Sequence, residues 1–259
     1  MPRTENLIVD KTKSKRGSKR IPMPEQPPPS RIGNFSEVNL GYTADMAIRE
    51  ASRCLQCKNP PCMRGCPVGI DIPKFLRAVA IEDFHGALTA ILEQNSLPAV
   101  CGRVCPQEIQ CESLCILARR GDSIAIGDIE RFVGDWGRIN QVSDISSLKS
   151  PAKGSTQAQV AVVGSGPASL AVATELIRLG YKSTIFEALH TPGGVLAYGI
   201  PEFRLPKDIL TYEFTRLENM GVEIKTNSLV GRTHTIDDLF QQGYRAVFLG
   251  TGAGLPQFV

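Results

Sequence analysis

All eight cysteines of this 259-residue chain lie between Cys54 and Cys115, and the second half has none. A chain kept in a reducing compartment does not pair thiols this densely as disulfides, so the clustering points to metal. The first group reads Cys54-x2-Cys57-x4-Cys62-x3-Cys66-Pro67. The second reads Cys101-x3-Cys105-Pro106, followed by Cys111-x3-Cys115. Short spacings of this kind let a loop wrap an iron–sulfur cube corner by corner, and the last cysteine of a run often crosses to a second cluster. A proline after a ligand cysteine stiffens the chain as it leaves. Structural zinc and plain buried thiols are the competing readings. Zinc favours two tight Cys-x2–4-Cys arms per site, and only Cys54 and Cys57 form a tight pair. None of His85, His190 and His234 is beside the cysteines in sequence.

The net charge of +3 belongs to one end. Residues 1–20 hold seven basic and two acidic side chains, a local +5, which leaves −2 for the remainder. That distribution excludes a basic nucleic-acid-binding body. The start has no apolar core between its charges, so it is not a secretory signal, and no stretch is long and apolar enough for a membrane span. Residues 1–35 read as a basic, Pro-rich flexible tail, because Pro22, Pro24, Pro27, Pro28 and Pro29 argue against a helix. Helices are expected from Thr43 toward Cys54, from Asp71 and Pro73, over Phe84–Leu92, around Cys111–Ala118 and over Ile126–Ile139. Residues 36–150 are thus a mainly helical domain. Ser143 to Thr156 reads as a polar linker.

From residue 151 the texture changes to α/β. A strand over Val160–Val163 runs into Gly164-Ser165-Gly166-Pro167-Ala168-Ser169, a helix over Pro167–Leu179, and a strand over Lys182–Phe186 that ends at Glu187. This is the strand–glycine–helix setting of a dinucleotide site: Gly164 for the tight turn, Gly166 for approach of the pyrophosphate at the helix N-terminus, Pro167 in its first turn. Ser169 stands where Gly or Ala is usual. Glu187 can accept from ribose hydroxyls and disfavours a 2′-phosphate. Glycine-rich loops follow at Gly193-Gly194 and, after a buried strand over Ala246–Leu249, at Gly250–Gly254. A helix over Pro206–Met220 and a short strand over Val222–Ile224 lie between. The expected fold is α+β overall: a mainly helical cluster domain, then an α/β Rossmann-like domain over 151–259.

The run Cys101-Gly102-Arg103-Val104-Cys105-Pro106, then Cys111 and Cys115, then Ile126-Gly127-Asp128-Ile129-Glu130-Arg131-Phe132, resembles the small (beta) subunit of NADPH-dependent glutamate synthase. The same module is similar to the N-terminal part of dihydropyrimidine dehydrogenase and to the larger subunit of flavin-bifurcating ferredoxin:NADP oxidoreductase. The likeness covers about residues 36–259. It implies two 4Fe-4S clusters and FAD, with Gly164, Gly166, Pro167, Ser169, Glu187, Gly193, Gly194, Leu196, Tyr198, Arg204, Thr251 and Gly252 at the flavin. It implies one cluster on Cys54, Cys57, Cys62 and Cys115. The other takes Cys66, Cys105, Cys111 and a non-cysteine ligand at the position of Glu130. Softness alone would choose Cys101 instead.

The resemblance further implies an electron-input subunit. NADPH reduces FAD by hydride, and electrons leave singly through the clusters to a larger catalytic subunit or redox partner in a cytoplasmic hetero-oligomer, with no nucleic acid and no membrane involved. Flavin suits that change from two- to one-electron transfer, and no protein acid, base or nucleophile is needed, so no catalytic residue is nominated. The NAD(P)H domain of the resembling enzymes follows the segment near Gly254, so the chain reads as the N-terminal part of a longer or split subunit. A non-catalytic iron–sulfur electron-transfer or assembly module, or part of a flavin-bifurcating ferredoxin:NADP oxidoreductase, is the alternative.

Overall fold

The computed structural model describes residues 19–119, 121–142 and 158–253. The expected tail up to residue 18, the Ser143–Thr156 linker and Gly254 lie outside these residues.

The first part is built from helices α1 (Pro28–Arg31), α2 (Ala44–Ala51), α3 (Pro61–Gly65), α4 (Ile72–Ala80), α5 (Phe84–Leu92), α6 (Pro98–Val104) and α7 (Ile126–Ile139). Side-chain caps set three of the starts. Thr43 accepts from the Met46 N–H at 3.3 Å, Asp71 from Lys74 at 3.1 Å and Asp83 from Gly86 at 2.8 Å, satisfying amides that have no partner inside a first turn. The apolar faces of α4, α5 and α7 close one core around Phe75, Leu76, Val79, Ile91, Ile129 and Val133. Phe84 meets Phe132 edge-on at 5.1 Å and lies tilted against Trp136 at 5.8 Å. Among the described residues no helix is long and apolar enough to cross a membrane.

Three sequence expectations change. The proline-rich stretch does contain a helical turn, α1, because Pro28 and Pro29 occupy first-turn positions whose N–H would have no acceptor anyway. Its described part is also tied down. Ile21 and Met23 pack against the helical core, the Ile21 N–H donates to the buried Glu50 at 2.9 Å, and Arg20 pairs with Glu112 and, at 2.9 Å, with Asp128. Cys111–Ala118 is not an α-helix but a turn followed by a single 3-10 turn over Ile116–Arg119. Helix α6 is the longest element of this part that sequence reading missed, beside the short α3. Its interior Gly102 weakens the helical signal, yet α6 lies so close to α7 that a Cβ on Gly102 would collide with the Arg131 backbone. Gly102→Ala should therefore force the helices apart and destabilise the domain by about 1–3 kcal/mol. A thermal melt followed by circular dichroism checks this; an unchanged midpoint contradicts it.

The second part is a four-stranded parallel sheet of β1 (Gln159–Val163), β2 (Lys182–Phe186), β3 (Glu223–Lys225) and β4 (Tyr244–Leu249), in the order β3-β2-β1-β4. Helices α8 (Pro167–Arg178), α9 (Val195–Tyr198), α10 (Lys207–Asn219) and α11 (Ile236–Gln241) complete it. Among the described residues the expected buried strand, β4, is the edge of this sheet, and Leu249 is 59% exposed. A continuous apolar run suggests two covered faces, but at β4 part of that run lines a cleft instead.

The two parts share a core. Leu97, Ala99 and Val100 of the α6 segment pack with Leu170, Ile185, Leu196 and Ile209 of the sheet domain. Polar links reinforce the seam. Arg216 donates to the Ser96 carbonyl at 2.8 Å, Arg138 pairs with Asp208 at 2.9 Å, and the Val38 N–H donates to the Phe203 carbonyl at 3.1 Å.

Candidate functional site: two thiol groups and a cleft at the strand ends

The cysteines separate into two neighbourhoods that do not follow sequence order. Cys54, Cys57, Cys62 and Cys115 line one apolar cavity with Pro60, Pro61, Ile72, Leu76 and Ile126. Burial pushes the Cys54 thiol up, and Cys115 and Cys57 add to the rise. It pushes Cys62 up to about 11, with Cys54, Cys115 and Cys57 contributing. The N–H groups of Gln56 and Met63 act in the opposite direction, donating to Cys54 and Cys62 respectively. Gln56 adopts φ +49°, which turns the chain back between Cys54 and Cys57.

The second neighbourhood holds Cys66, Cys101, Cys105, Cys111 and Glu130. Burial raises Cys105 to about 11, Cys101 to about 12 and Cys111 further, and the negative charges of Glu130 and Cys66 add to each rise. Glu130 projects from α7, only 5% exposed. Burial lifts its carboxyl to about 7, against the favourable bond from Asn95. Cys66 and Cys105 each end a helix in extended geometry, with ψ of 116° and 134°. That is the conformation a following proline imposes, so Pro67 and Pro106 fix how both thiols leave their helices.

This donor set suits iron–sulfur clusters. Thiols buried beside acidic neighbours bind iron as thiolates only by giving up their protons. Among the described residues no three His, Cys, Asp or Glu side chains gather around a point that could hold a single ion. A zinc site closes all its donors on one atom, whereas a cube spreads them over separate corners.

The sheet domain offers a cleft at the carboxyl ends of its strands, where open parallel sheets take their ligands. Of the expected flavin residues, Gly164, Gly166, Pro167, Glu187, Gly194, Thr251 and Gly252 line it. Gly164 adopts φ +91°, and a Cβ there would collide with the Gly250 carbonyl. Gly166 caps α8 with no side-chain bond to its first-turn amides, and a Cβ there would meet nothing within 4 Å. Uncapped amides beside open space form a cradle for a diphosphate. Glu187 accepts from the Ser165 N–H at 3.0 Å, from the Ser165 hydroxyl and from the Leu189 N–H at 2.8 Å. The Gly193 N–H donates to Ser165 Oγ at 2.7 Å.

The other expected residues lie off the cleft wall. Ser169 is fully buried, its hydroxyl lies where a Cβ on Gly250 would fall, and among the described residues it has no hydrogen-bond partner. The close approach usually credited to the third fingerprint position is thus shared with Gly250. Leu196 is in the shared core. Tyr198 is half exposed, and its hydroxyl accepts from the Thr191 N–H at 3.2 Å. Arg204 lines a separate hollow with Glu37, Arg103 and Arg131 at the seam between the parts. Sequence reading missed Ser228 and Leu229, which complete the cleft. They follow β3, and the rule that ligands sit beyond strand ends could have found them. It also missed Asn95, which no motif marks.

Residues 31–142 match the family described as dihydropyrimidine dehydrogenase domain II, 4Fe-4S cluster, and residues 162–214 match an NAD(P)-binding Rossmann-like domain. Among curated proteins, the NAD-dependent dihydropyrimidine dehydrogenase subunit PreT of Escherichia coli is 42% identical over 86% of this chain and 54% of its own length. The glutamate synthase [NADPH] small chain of Escherichia coli is 38% identical over 90% of this chain and 48% of its own. That of Halomonas elongata is 37% identical over 88% and 47%. The chain therefore spans about half the length of the curated relatives it matches. Over most of its residues it is a homologue of the PreT subunit and the glutamate synthase small chain.

Proposed function

We propose that the chain is the electron-transfer portion of an NAD(P)H-dependent oxidoreductase that holds two 4Fe-4S clusters and FAD and serves a larger partner subunit. In this reading residues 36–150 form the cluster domain and residues 151–259 the FAD domain. The observation that carries it is the sorting of the thiols into two separate neighbourhoods in a chain that also carries a Rossmann cleft. Cys54, Cys57, Cys62 and Cys115 would hold one cluster, and Cys66, Cys105, Cys111 and Glu130 the other. Gly166 and the first turn of α8 would hold the flavin diphosphate, and Glu187 the ribose. When bound, these groups supply passage between two-electron chemistry at a nicotinamide and one-electron carriage. The chain's own part is to keep them desolvated and fixed in distance, through the core that α6 shares with the sheet domain.

The partner is of glutamate synthase type in the first reading. A dihydropyrimidine dehydrogenase type is the second, favoured by the higher identity to PreT, 42% against 38%. Protein purified anaerobically should carry about eight iron and about eight acid-labile sulfide per chain, together with FAD released on denaturation. Stoichiometric zinc without sulfide would overturn the cluster assignment, and a colourless supernatant after denaturation would overturn the flavin.

A further inference from the structure

The chain segments that wall the cavity of Cys54, Cys57, Cys62 and Cys115 are residues 54–66, helix α4 and residues 115–119. They carry Lys58, Arg64, Lys74, Arg77 and Arg119 and not one Asp or Glu, although residues 21–259 as a whole have a charge of −2. Lys74 is paired with Glu93 at 2.6 Å. The other four are exposed, and among the described residues no carboxylate pairs with them. Arg77 instead donates twice to Gln56 Oδ-type amide oxygen Oε1, at 3.1 and 3.0 Å, on the turn between Cys54 and Cys57. Inside this basic rim the cavity wall is apolar, and its Leu55 and Ile116 are exposed. We propose that this mouth is a docking face for a one-electron redox protein that presents a carboxylate-rich rim around its own centre, with Lys58, Arg64, Arg77 and Arg119 steering it there.

An apolar centre inside a polar rim is the anatomy of a protein interface. Complementary charge raises the rate of encounter more than it raises affinity, which suits a partner that must leave after each electron. Position agrees with charge. The four thiols under the mouth are half-buried, so an acceptor seated there comes close to them. The second neighbourhood is instead beside the seam, since Ala99 and Val100 of α6 pack into the sheet domain. Nucleic acid is the other polyanion that a basic rim could attract. A phosphate backbone gains nothing from an apolar mouth, and single strands want aromatic faces for stacking. The one aromatic in these segments, Phe75, is fully buried.

The inference rests on the cluster reading above, and the test keeps the two apart. The full chain, purified anaerobically, is reduced with dithionite, freed of excess reductant and mixed with rubredoxin, a small acidic protein, or with cytochrome c, a basic one. Each event moves one electron out of the chain and takes the acceptor's iron from ferric to ferrous. The rate on rubredoxin should fall as salt is raised, and that on cytochrome c should not. Combining Lys58→Glu, Arg64→Glu and Arg119→Glu should slow rubredoxin about tenfold at low ionic strength, with iron and sulfide as in the parent. The same three changed to Gln should slow it less, and they carry the test if the glutamate form fails to fold. Lys182→Glu, Arg232→Glu and Arg245→Glu, on the sheet domain, alter the net charge equally and should leave the rate alone. Binding gives a second readout: rubredoxin fixed to a sensor surface should retain the parent at low salt and lose the rim variants. An unchanged rate in the rim variants, or an equal loss in the sheet-domain set, would overturn the docking face. Tighter retention on a duplex DNA surface, lost in the rim variants, would overturn it in favour of nucleic acid. If the parent holds no iron and sulfide, the cluster reading has failed and the inference falls with it; if it holds both and the charges have no effect, only the docking face is wrong.

Discussion

Replacing Cys115 by alanine should remove one iron–sulfur cluster, and replacing Cys111, four residues earlier, should remove the other. In an α-helix residues four apart lie on one face, and the spacing Cys111-x3-Cys115 invites that reading. The chain declines it: the segment turns, then adds only a 3-10 turn. Cys115 enters the apolar cavity with Cys54, Cys57 and Cys62, while Cys111 feels the charges of Glu130, Cys66 and Cys105. Each variant should hold about half the iron and sulfide of the parent, and the two surviving clusters should give different paramagnetic signals on reduction. Cys66→Ala should give the same surviving signal as Cys111→Ala, although Cys66 is only four residues from Cys62. If Cys111→Ala and Cys115→Ala lose the same cluster, the division follows sequence order and the crossed arrangement is wrong.

That crossing marks where sequence reading gains and loses its grip. The βαβ unit is legible because each of its signals is local. The strand, glycines, Pro167 and following strand lie within 28 residues, and the observed β2 matches the expected Lys182–Phe186. Helices with side-chain caps, such as α4 and α5, are legible for the same reason. Helix α6 is not, because what permits Gly102 in its interior is the backbone of Arg131, 29 residues away in sequence. The edge position of β4 is equally hidden, since no local pattern says which strand lies outermost. The crossed grouping of the thiols came from a family resemblance and could not be drawn from spacing, and Asn95 came from neither. Two of its hydrogen-bond partners, Cys101 and Glu130, are 6 and 35 residues away and meet only in the folded chain.

The seam between the two parts also fixes how the sheet domain sits against the second thiol neighbourhood. Glu213 and Arg216 of α10 are buried as a pair, and burial holds the Glu213 carboxyl above its usual range against the pull of Arg216. A buried pair of this kind contributes little net stability but is costly to break singly. Its placement, with Arg216 also on the Ser96 carbonyl, ties α10 to the turn that carries Asn95. The sheet domain is thereby held in register with the second thiol neighbourhood as well as pressed against it.

Gly166→Leu should abolish flavin binding while leaving the fold and both clusters in place. The reason lies in what does not require a glycine there. Gly166 has φ −70°, which any residue adopts, and an added Cβ meets no atom within 4 Å. Neither backbone strain nor packing excludes a side chain, so what a leucine obstructs is the approach of a ligand to the first turn of α8. Gly164 is the opposite case. At φ +91°, with a Cβ directed into the Gly250 carbonyl, Gly164→Ala should strain the turn and cost about 1–3 kcal/mol of stability before any ligand is considered. The pair of variants therefore separates two roles that one glycine motif conflates. Flavin released on denaturation should fall from about one per chain to near zero in Gly166→Leu, with the iron content and thermal midpoint of the parent. Retention of flavin by Gly166→Leu would move the cofactor away from this cleft. Loss of iron together with flavin would show that the two parts fold as one unit around their cofactors.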